Sequence, residues 1–113
     1  ESACALVAEH SQNGIVGMIF GRVATNNRYE PSRSGFVDQV YVAPAHRSKC
    51  VGRCLVGELC RFFEGAGVED LSLRYVVGNT KAEAFWSALG FAPRIITAGA
   101  SRRQVQKALT PSA

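Results

Sequence analysis

The chain has 113 residues, of which 47% are hydrophobic, and it carries a formal net charge of +4 at pH 7. Its length fits one domain and its composition supports a buried core, which excludes a disordered tail. It has no apolar run that could cross a bilayer, no secretory pattern and no aromatic residues alternating with basic ones, so we expect a cytoplasmic protein without membrane or nucleic-acid partners.

Alternating apolar residues predict three strands in the first part of the chain, at residues 3–10, 15–23 and 36–42. Asn13-Gly14 lies between the first two strands and favours a tight hairpin turn. The polar residues 24–34 predict a loop before the third strand, and Pro44 ends that strand.

The apolar period changes to that of a helix after residue 50. Apolar side chains then recur every four positions, at Val51, Leu55, Leu59 and Phe63. This spacing predicts a helix that continues to about residue 63 and ends at Gly65. Thr80 and Glu83 form a capping-box pattern, which predicts a second helix that Gly90 ends.

Further strands are predicted at residues 71–77, 95–97 and 104–109, although the last segment could also be a short helix. The unit 36–77 therefore predicts a strand–helix–strand crossover, which normally joins parallel neighbours with a right-handed turn. Its loop, residues 47–52, would lie at the carboxyl end of a strand, where open α/β sheets bind ligands. Basic residues beside the unpaired N–H groups of a helix start predict a site for a phosphate-bearing anion.

The chain has four cysteines, Cys4, Cys50, Cys54 and Cys60. Zinc sites usually combine two close pairs of ligands, and only one close pair is present, so no metal site is predicted. The even number leaves disulfides open, while the lack of a secretory pattern favours reduced thiols. His10 and His46 have no partner visible in the sequence and are expected at the surface.

Two segments of the chain carry longer motifs. Residues 40–55 read Val-Tyr-Val-Ala-Pro-Ala-His-Arg-Ser-Lys-Cys-Val-Gly-Arg-Cys-Leu, and residues 79–91 read Asn-Thr-Lys-Ala-Glu-Ala-Phe-Trp-Ser-Ala-Leu-Gly-Phe. Together they resemble the GNAT superfamily of acyl-CoA-dependent N-acetyltransferases, with its pyrophosphate loop (Arg or Gln, two residues, Gly, one residue, Gly or Ala) and its Asn-x-x-Ala-x-x-aromatic helix. Arg47 and Gly52 match the loop pattern, while Cys50 replaces its first glycine.

The resemblance implies an α/β fold, with a GNAT-like mixed central sheet and helices on its faces, as a single domain over residues 1–113. Family members usually open with a strand and two helices before the first hairpin. This chain begins almost at the hairpin and lacks those elements. We therefore expect either an N-terminally truncated chain or a minimal member that completes itself as a homodimer.

The resemblance also implies acetyl-CoA as co-substrate, without a metal. The pantetheine arm would bond to the backbone of residues 40–42, and the pyrophosphate would lie on N–H groups of residues 47–52. The residues implied in acetyl-CoA binding are Val40, Tyr41, Val42, Arg47, Ser48, Lys49, Cys50, Val51, Gly52, Arg53, Asn79, Phe85 and Trp86. A Cβ at Cys50 would crowd the phosphates if the loop needs glycine there, and would be harmless if the loop is already helical. Several of the implied residues also have a purely structural explanation. The basic residues could form a solvated face, Asn79 could be a turn residue, and Trp86 could pack in the core.

Amide formation needs a neutral amine, so a general base is expected, and Asp38 is the main candidate. Asp38 alternates with three apolar residues, Phe36, Val40 and Val42. We therefore expect an acid among apolar neighbours on one strand face, where loss of solvent would make it a stronger base. The alternative is a carboxylate that caps a loop or pairs with an arginine. Glu30 and Glu9 are the other candidates.

The departing thiolate needs a proton, for which Tyr41 or water is the candidate. Trp86 stands where the family commonly has Tyr, and it cannot deliver a proton at neutral pH. A backbone N–H within residues 40–42 would hold the oxyanion. No Cys-His-acid constellation is visible, so we expect direct transfer without a cysteine acyl-enzyme.

The predicted function is transfer of an acetyl group from acetyl-CoA to a primary amine of an unidentified acceptor. The acceptor could be a small amine, an aminoglycoside-like polyamine or a protein amine. The alternative is a non-catalytic acyl-CoA-binding or dimerisation module, and a third possibility is an interaction domain that binds no CoA.

Overall fold

The computed structural model describes residues 2–25, 33–47 and 49–111. Within these ranges the chain forms two compact units, Glu1–Asn79 and Thr80–Ala113. Most of the predicted loop at 24–34 lies outside the described residues. Two of the predicted site residues, Glu30 and Ser48, also lie outside them.

The first unit is built on a four-stranded mixed sheet with the order β1-β2-β3-β4. Its strands are β1 (Ala3–His10), β2 (Gly14–Thr25), β3 (Arg33–Val42) and β4 (Asp70–Leu73). The first three pair antiparallel, as the predicted hairpin requires. β4 pairs parallel to β3, so the predicted crossover between parallel neighbours is confirmed.

Helix α1 (Val51–Gly65) connects β3 to β4 and packs across β1, β2 and β3. The helix predicted from the four-residue apolar period is confirmed, and its apolar residues Leu55, Leu59 and Phe63 are all buried. Ile19 of β2 faces them and is fully buried. Burying side chains of this size contributes roughly 1.5–3 kcal/mol each, so this layer is the main stabilising element of the first unit.

Glycines in the sheet let α1 approach closely. A Cβ added at Gly21 of β2 would lie 2.9 Å from both methyl carbons of Leu59 and 3.1 Å from Phe63 Cζ. A Cβ added at Gly35 of β3 would lie 2.8 Å from Phe63 Cε1. These positions therefore fix how near the helix lies to the strands.

The strand predicted at residues 71–77 is shorter than expected. Pairing between β3 and β4 ends at Val37 and Leu73, and residues 74–76 have no regular structure. The cause lies in β3, where Phe20 of β2 pairs with Gln39 and Gly21 pairs with Val37. Asp38 is thus an extra residue, a β-bulge that bends its strand and disrupts the ladder.

The second unit contains two helices, α2 (Thr80–Ala88) and α3 (Arg102–Leu109). The predicted strand at residues 95–97 is wrong, since that segment has no regular structure. For residues 104–109 the alternative of a short helix is confirmed. Ser101 caps α3 reciprocally with Gln104, and this local capping box outweighs the β-forming residues. No helix among the described residues is long and apolar enough to cross a membrane.

Replacing Gly21 with alanine should lower the free energy of unfolding by about 1–3 kcal/mol, because the new methyl group meets buried side chains that have no room to move. The matched control is Gly57→Ala in α1, where an added Cβ meets nothing within 4 Å. That change should stabilise the protein by about 1 kcal/mol through helix propensity. Urea unfolding of both variants measures the difference, and equal effects would contradict the close approach of α1.

Candidate acyl-CoA site

β3 and β4 separate at the bulge, and this leaves an open edge on β3. Their parallel pairing ends at Val37, while β3 continues to Val42 beside β2 alone. Ala43 N donates to Val16 O at 2.7 Å, which fixes the pattern of bonds to β2. Because such bonds alternate along an antiparallel strand, the N–H and C=O groups of Val40 and Val42 point away from β2. The edge therefore presents backbone groups that an extended ligand can bond.

Asp38 lies on the face of the sheet opposite α1. Its Oδ2 accepts a hydrogen bond from Arg22 Nε at 2.9 Å, and its side chain is 31% exposed. The guanidinium of Arg22 also lies 4.3 Å from the centroid of the Phe36 ring. A charge-assisted pair on a partly solvated surface replaces the apolar surroundings predicted for this acid.

The prediction that Asp38 shares one strand face with Val40 and Val42 is wrong. Val40 and Val42 pair with Ile19 and Gly17, which face α1. The extra residue at Asp38 shifts the in–out alternation of side chains by one position. Val40 and Val42 therefore point towards α1, whereas Asp38 points to the other face.

Tyr41 shares the face of Asp38. Its cross-strand partner is Met18, and the Tyr41 residue is 52% exposed. The guanidinium carbon of Arg47 lies 5.9 Å from the centroid of its ring. The two predicted catalytic side chains are therefore on one side of the sheet, at the strand that also presents the open edge.

Arg47 follows a 3-10 turn, Pro44–His46, that continues directly from β3. Its N–H group donates to Pro44 O at 3.3 Å, and its Nε donates to Val42 O at 2.9 Å. The second contact folds the side chain back over the end of the open edge. It holds the exposed guanidinium of Arg47 beside the end of the strand.

The start of α1 offers the other half of an anion site. The first helical bond is from Cys54 N to Cys50 O at 3.0 Å, so the N–H groups of Val51, Gly52 and Arg53 precede the intrahelical ladder. No side chain caps this helix start and its first turn contains no acid. Lys49 and Arg53 are exposed beside it. Backbone donors, helix dipole and basic side chains all favour an anion here.

Cys50 occupies a glycine-like position. It has φ 66° and ψ 12°, and among the described residues it is the only non-glycine residue with a positive φ. The loop is therefore not yet helical at this residue, which answers the question that the sequence left open. A side chain in this conformation costs roughly 1–2 kcal/mol relative to the right-handed region.

The remaining predicted cofactor residues lie later in the chain. Asn79 ends the first unit, with its N–H donating to Val76 O at 3.0 Å in a turn. In the second unit Trp86 is buried and stacks edge-on with two rings, those of Phe85 at 4.8 Å and Phe91 at 5.3 Å. These contacts give Trp86 a packing role within its unit.

The sequence did not predict the roles of two polar residues near the site, Arg22 and His46. Arg22 is the partner of Asp38, and only the register of β2 against β3 reveals this pair. His46 was expected at the surface, but it is 7% exposed and lies against the β1–β2 turn. The described residues contain no group of three or more His, Cys, Asp or Glu side chains that could hold a metal ion, and their four cysteines are all free.

The parallel crossover, the split between β3 and β4 and the uncapped helix start define an α/β domain that can take an extended ligand with an anionic group. A family model for the acetyltransferase (GNAT) family matches residues 1–91. The chain belongs to this family. No curated protein gives a significant match to it.

Solved structures of similar fold support this assignment. A tetramutant of the BH1408 protein from Bacillus halodurans has a TM-score of 0.80 at 15% identity, over 89% of this chain and 67% of that one. The aminoglycoside 6'-N-acetyltransferase AAC(6')-IG from Acinetobacter haemolyticus has a TM-score of 0.75 at 24% identity, over 88% and 70%. The aminoglycoside N-acetyltransferase AAC(6')-Iy, solved in complex with CoA, has a TM-score of 0.75 at 19% identity, over 89% and 78%. The chain thus spans about two thirds to three quarters of their lengths, and at these identities the likeness is one of fold.

Replacing Cys50 with glycine should give a more stable protein than replacing it with alanine, by about 1 kcal/mol, because only glycine adopts this conformation without strain. Cys54→Gly is the matched control: residue 54 is in the helix, where glycine should destabilise by about 1 kcal/mol. Urea unfolding compares the three variants. Equal stability of the glycine and alanine variants at position 50 would contradict the left-handed backbone.

Proposed function

We propose that this chain transfers an acetyl group from acetyl-CoA to a primary amine by direct attack on the thioester. The observation that carries the proposal is the open edge of β3, which leads to Arg47 and the uncapped start of α1. An extended amide-bearing arm followed by a pyrophosphate has the chemistry that these two features would recognise. The GNAT family membership of the chain gives independent support.

The cofactor would lie along β3 and end at α1. The pantetheine amides would bond to Val40 C=O and Val42 N–H, which point away from β2, since Val42 O already accepts a hydrogen bond from Arg47 Nε. The pyrophosphate would accept bonds from the N–H groups of Val51 and Gly52, beside the Arg47 guanidinium. Ser48, Lys49, Cys50, Arg53, Asn79, Phe85 and Trp86 stay candidates for further contacts.

The proposed reaction is a single acyl transfer. The neutral amine nitrogen attacks the thioester carbon, a C–N bond forms, and the oxyanion accepts a hydrogen bond from Val40 N–H. The C–S bond then breaks, and the CoA thiolate takes a proton from Tyr41 or from water. Asp38 accepts the proton that the amine loses. Arg22 Nε already bonds one of its carboxylate oxygens, so the other oxygen would act as the base.

The acceptor is proposed only as a class. An exposed carboxylate on an open sheet face suits a cationic amine, and a small amine, an aminoglycoside-like polyamine or a protein amine would all carry the required group. Part of this face is apolar and exposed, with Val7, Met18 and Tyr41 as cross-strand neighbours on β1, β2 and β3. That row favours the expected homodimer. It also keeps the second candidate function open, a non-catalytic acyl-CoA-binding or dimerisation module.

Arg47→Gln should weaken acetyl-CoA binding by about 10- to 100-fold, the effect of losing a charge-assisted bond to a phosphate. Isothermal titration calorimetry measures the dissociation constant. The control is Arg61→Gln, which removes the same charge from the exposed face of α1, where the Arg61 side chain is 79% exposed. That variant should stay within about 2-fold of the unmodified protein. Equal losses in both variants, or no binding by the unmodified protein, would contradict the proposed site.

Asp38→Asn should lower kcat by about 10²- to 10⁴-fold in a thiol-release assay across a panel of amines, because the general base is lost. Glu58→Gln on the exposed face of α1 is the control and should leave kcat unchanged. Arg22→Gln separates an ion-pair role from a catalytic one. If Asp38 serves only as the partner of Arg22, both changes would lower the melting temperature alike and leave kcat intact. Acetyl-CoA binding without thiol release for any amine would favour the non-catalytic module.

A further inference from the structure

His46 is a buried polar side chain beside the proposed pyrophosphate site. Only 7% of the residue is exposed, and it is the one buried polar or charged residue of the described chain. Its Nε2 lies 3.1 Å from Asn13 Nδ2. Because the Asn13 amide nitrogen can only donate, His46 Nε2 is the acceptor of this bond. A buried histidine with a defined partner is held in one orientation.

His10 also packs against His46, so that His10, Asn13 and His46 form one cluster. Its ring centroid lies 5.1 Å from that of His46, with the two planes tilted by 56°. His10 Nδ1 accepts from the backbone N–H groups of Gln12 and Asn13, at 3.1 and 3.3 Å. The β1–β2 turn is thereby folded around His10, and it presents both His10 and Asn13 to His46.

This cluster joins two segments that are far apart in the sequence. Asn13 belongs to the β1–β2 turn, whereas His46 is the last residue of the 3-10 turn and is directly followed by Arg47. The backbone of the 3-10 turn is held by its own bond from His46 N to Ala43 O, at 2.8 Å. The side chain of His46 therefore adds a tertiary anchor immediately before the arginine that folds back onto Val42 O.

We propose that His46 is a positioning residue for the acyl-CoA pyrophosphate loop, acting through Asn13 and the β1–β2 turn. The inference rests on the proposed function for its ligand. With the anchor, Arg47 and the amides at the start of α1 are ordered before the cofactor binds. Without it, binding must order the loop and the affinity falls. The chemistry on β3 is untouched, since Asp38 and Tyr41 lie before the turn.

The test compares His46→Leu, which fills the space without a hydrogen bond, with His46→Gln, whose amide oxygen can accept from Asn13. Steady-state kinetics measure kcat and the KM for acetyl-CoA. Hydrogen exchange measures the protection of the two bonded backbone amides that flank the loop, Arg47 N–H on Pro44 O and Cys54 N–H on Cys50 O. Asn13→Ala removes the other partner of the bond. Asn13 has no positive φ, so alanine adds no backbone strain at this position.

We expect His46→Leu to raise the KM for acetyl-CoA about 10-fold and to leave kcat within about 2-fold, the size of effect that one buried hydrogen bond can give. His46→Gln should restore most of the affinity. Asn13→Ala should match His46→Leu, and the double variant should be no worse than either single one, because both remove the same bond. Faster exchange of the two flanking amides should accompany the loss in His46→Leu and Asn13→Ala.

Two outcomes would overturn the role of His46. One is equal behaviour of the leucine and glutamine variants, and the other is a fall in kcat at unchanged KM. If the unmodified protein binds no acetyl-CoA, the proposed function fails. The anchoring role of His46 is then tested by hydrogen exchange alone. Faster exchange of the two flanking amides in His46→Leu than in His46→Gln would then still support the anchor, and equal exchange would refute it.

Discussion

The extra residue at Asp38 shapes most of the candidate site. In an unbroken ladder, β4 would continue to pair with β3, and the outward backbone groups of Val40 and Val42 would be bonded within the sheet. The bulge ends that ladder at Val37 and leaves those groups on an edge without a strand partner, where Arg47 Nε bonds Val42 O. The same insertion turns Asp38 towards Arg22 on the face opposite α1. The opening and the acid next to it thus arise from one backbone irregularity.

The close packing of α1 determines where the anion site lies relative to this edge. Gly21 and Gly35 have no side chains, so Leu59 and Phe63 can lie directly against the strands. The contact continues to the first turn of the helix, where a Cβ added at Gly17 would lie 3.1 Å from Val51 Cγ1. The helix start is therefore held next to the carboxyl end of β3. The proposed ligand, lying along the edge of β3, would therefore reach the amides of α1 without any movement of the helix.

The parts of the fold that depend on local patterns were predictable. The hairpin at Asn13-Gly14 and the crossover that follows it come from turn chemistry and from the change between strand and helix periods. The bulge was not predictable, because the residues around Asp38 alternate as in an unbroken strand and the insertion is visible only in the pairing with β2. The burial of His46 depends on a contact across 33 positions, which no local pattern encodes. At residues 95–97 the β-forming run has no strand partner among the described residues, and the cap at Ser101 decides the next element.

Cys50 indicates that the loop is shaped by its two ends rather than by the residue at its centre. A cysteine has no intrinsic reason to adopt a left-handed conformation, and it stays there only if neighbouring contacts determine the backbone. On one side, the bond from Cys54 N to Cys50 O begins the helix. On the other side, the 3-10 turn fixes His46 and Arg47. For the proposed acyl-CoA site, strain kept at Cys50 would mean that the fold holds this backbone in place before the ligand arrives. The tertiary anchors beside Cys50 would then matter more for affinity than the missing glycine.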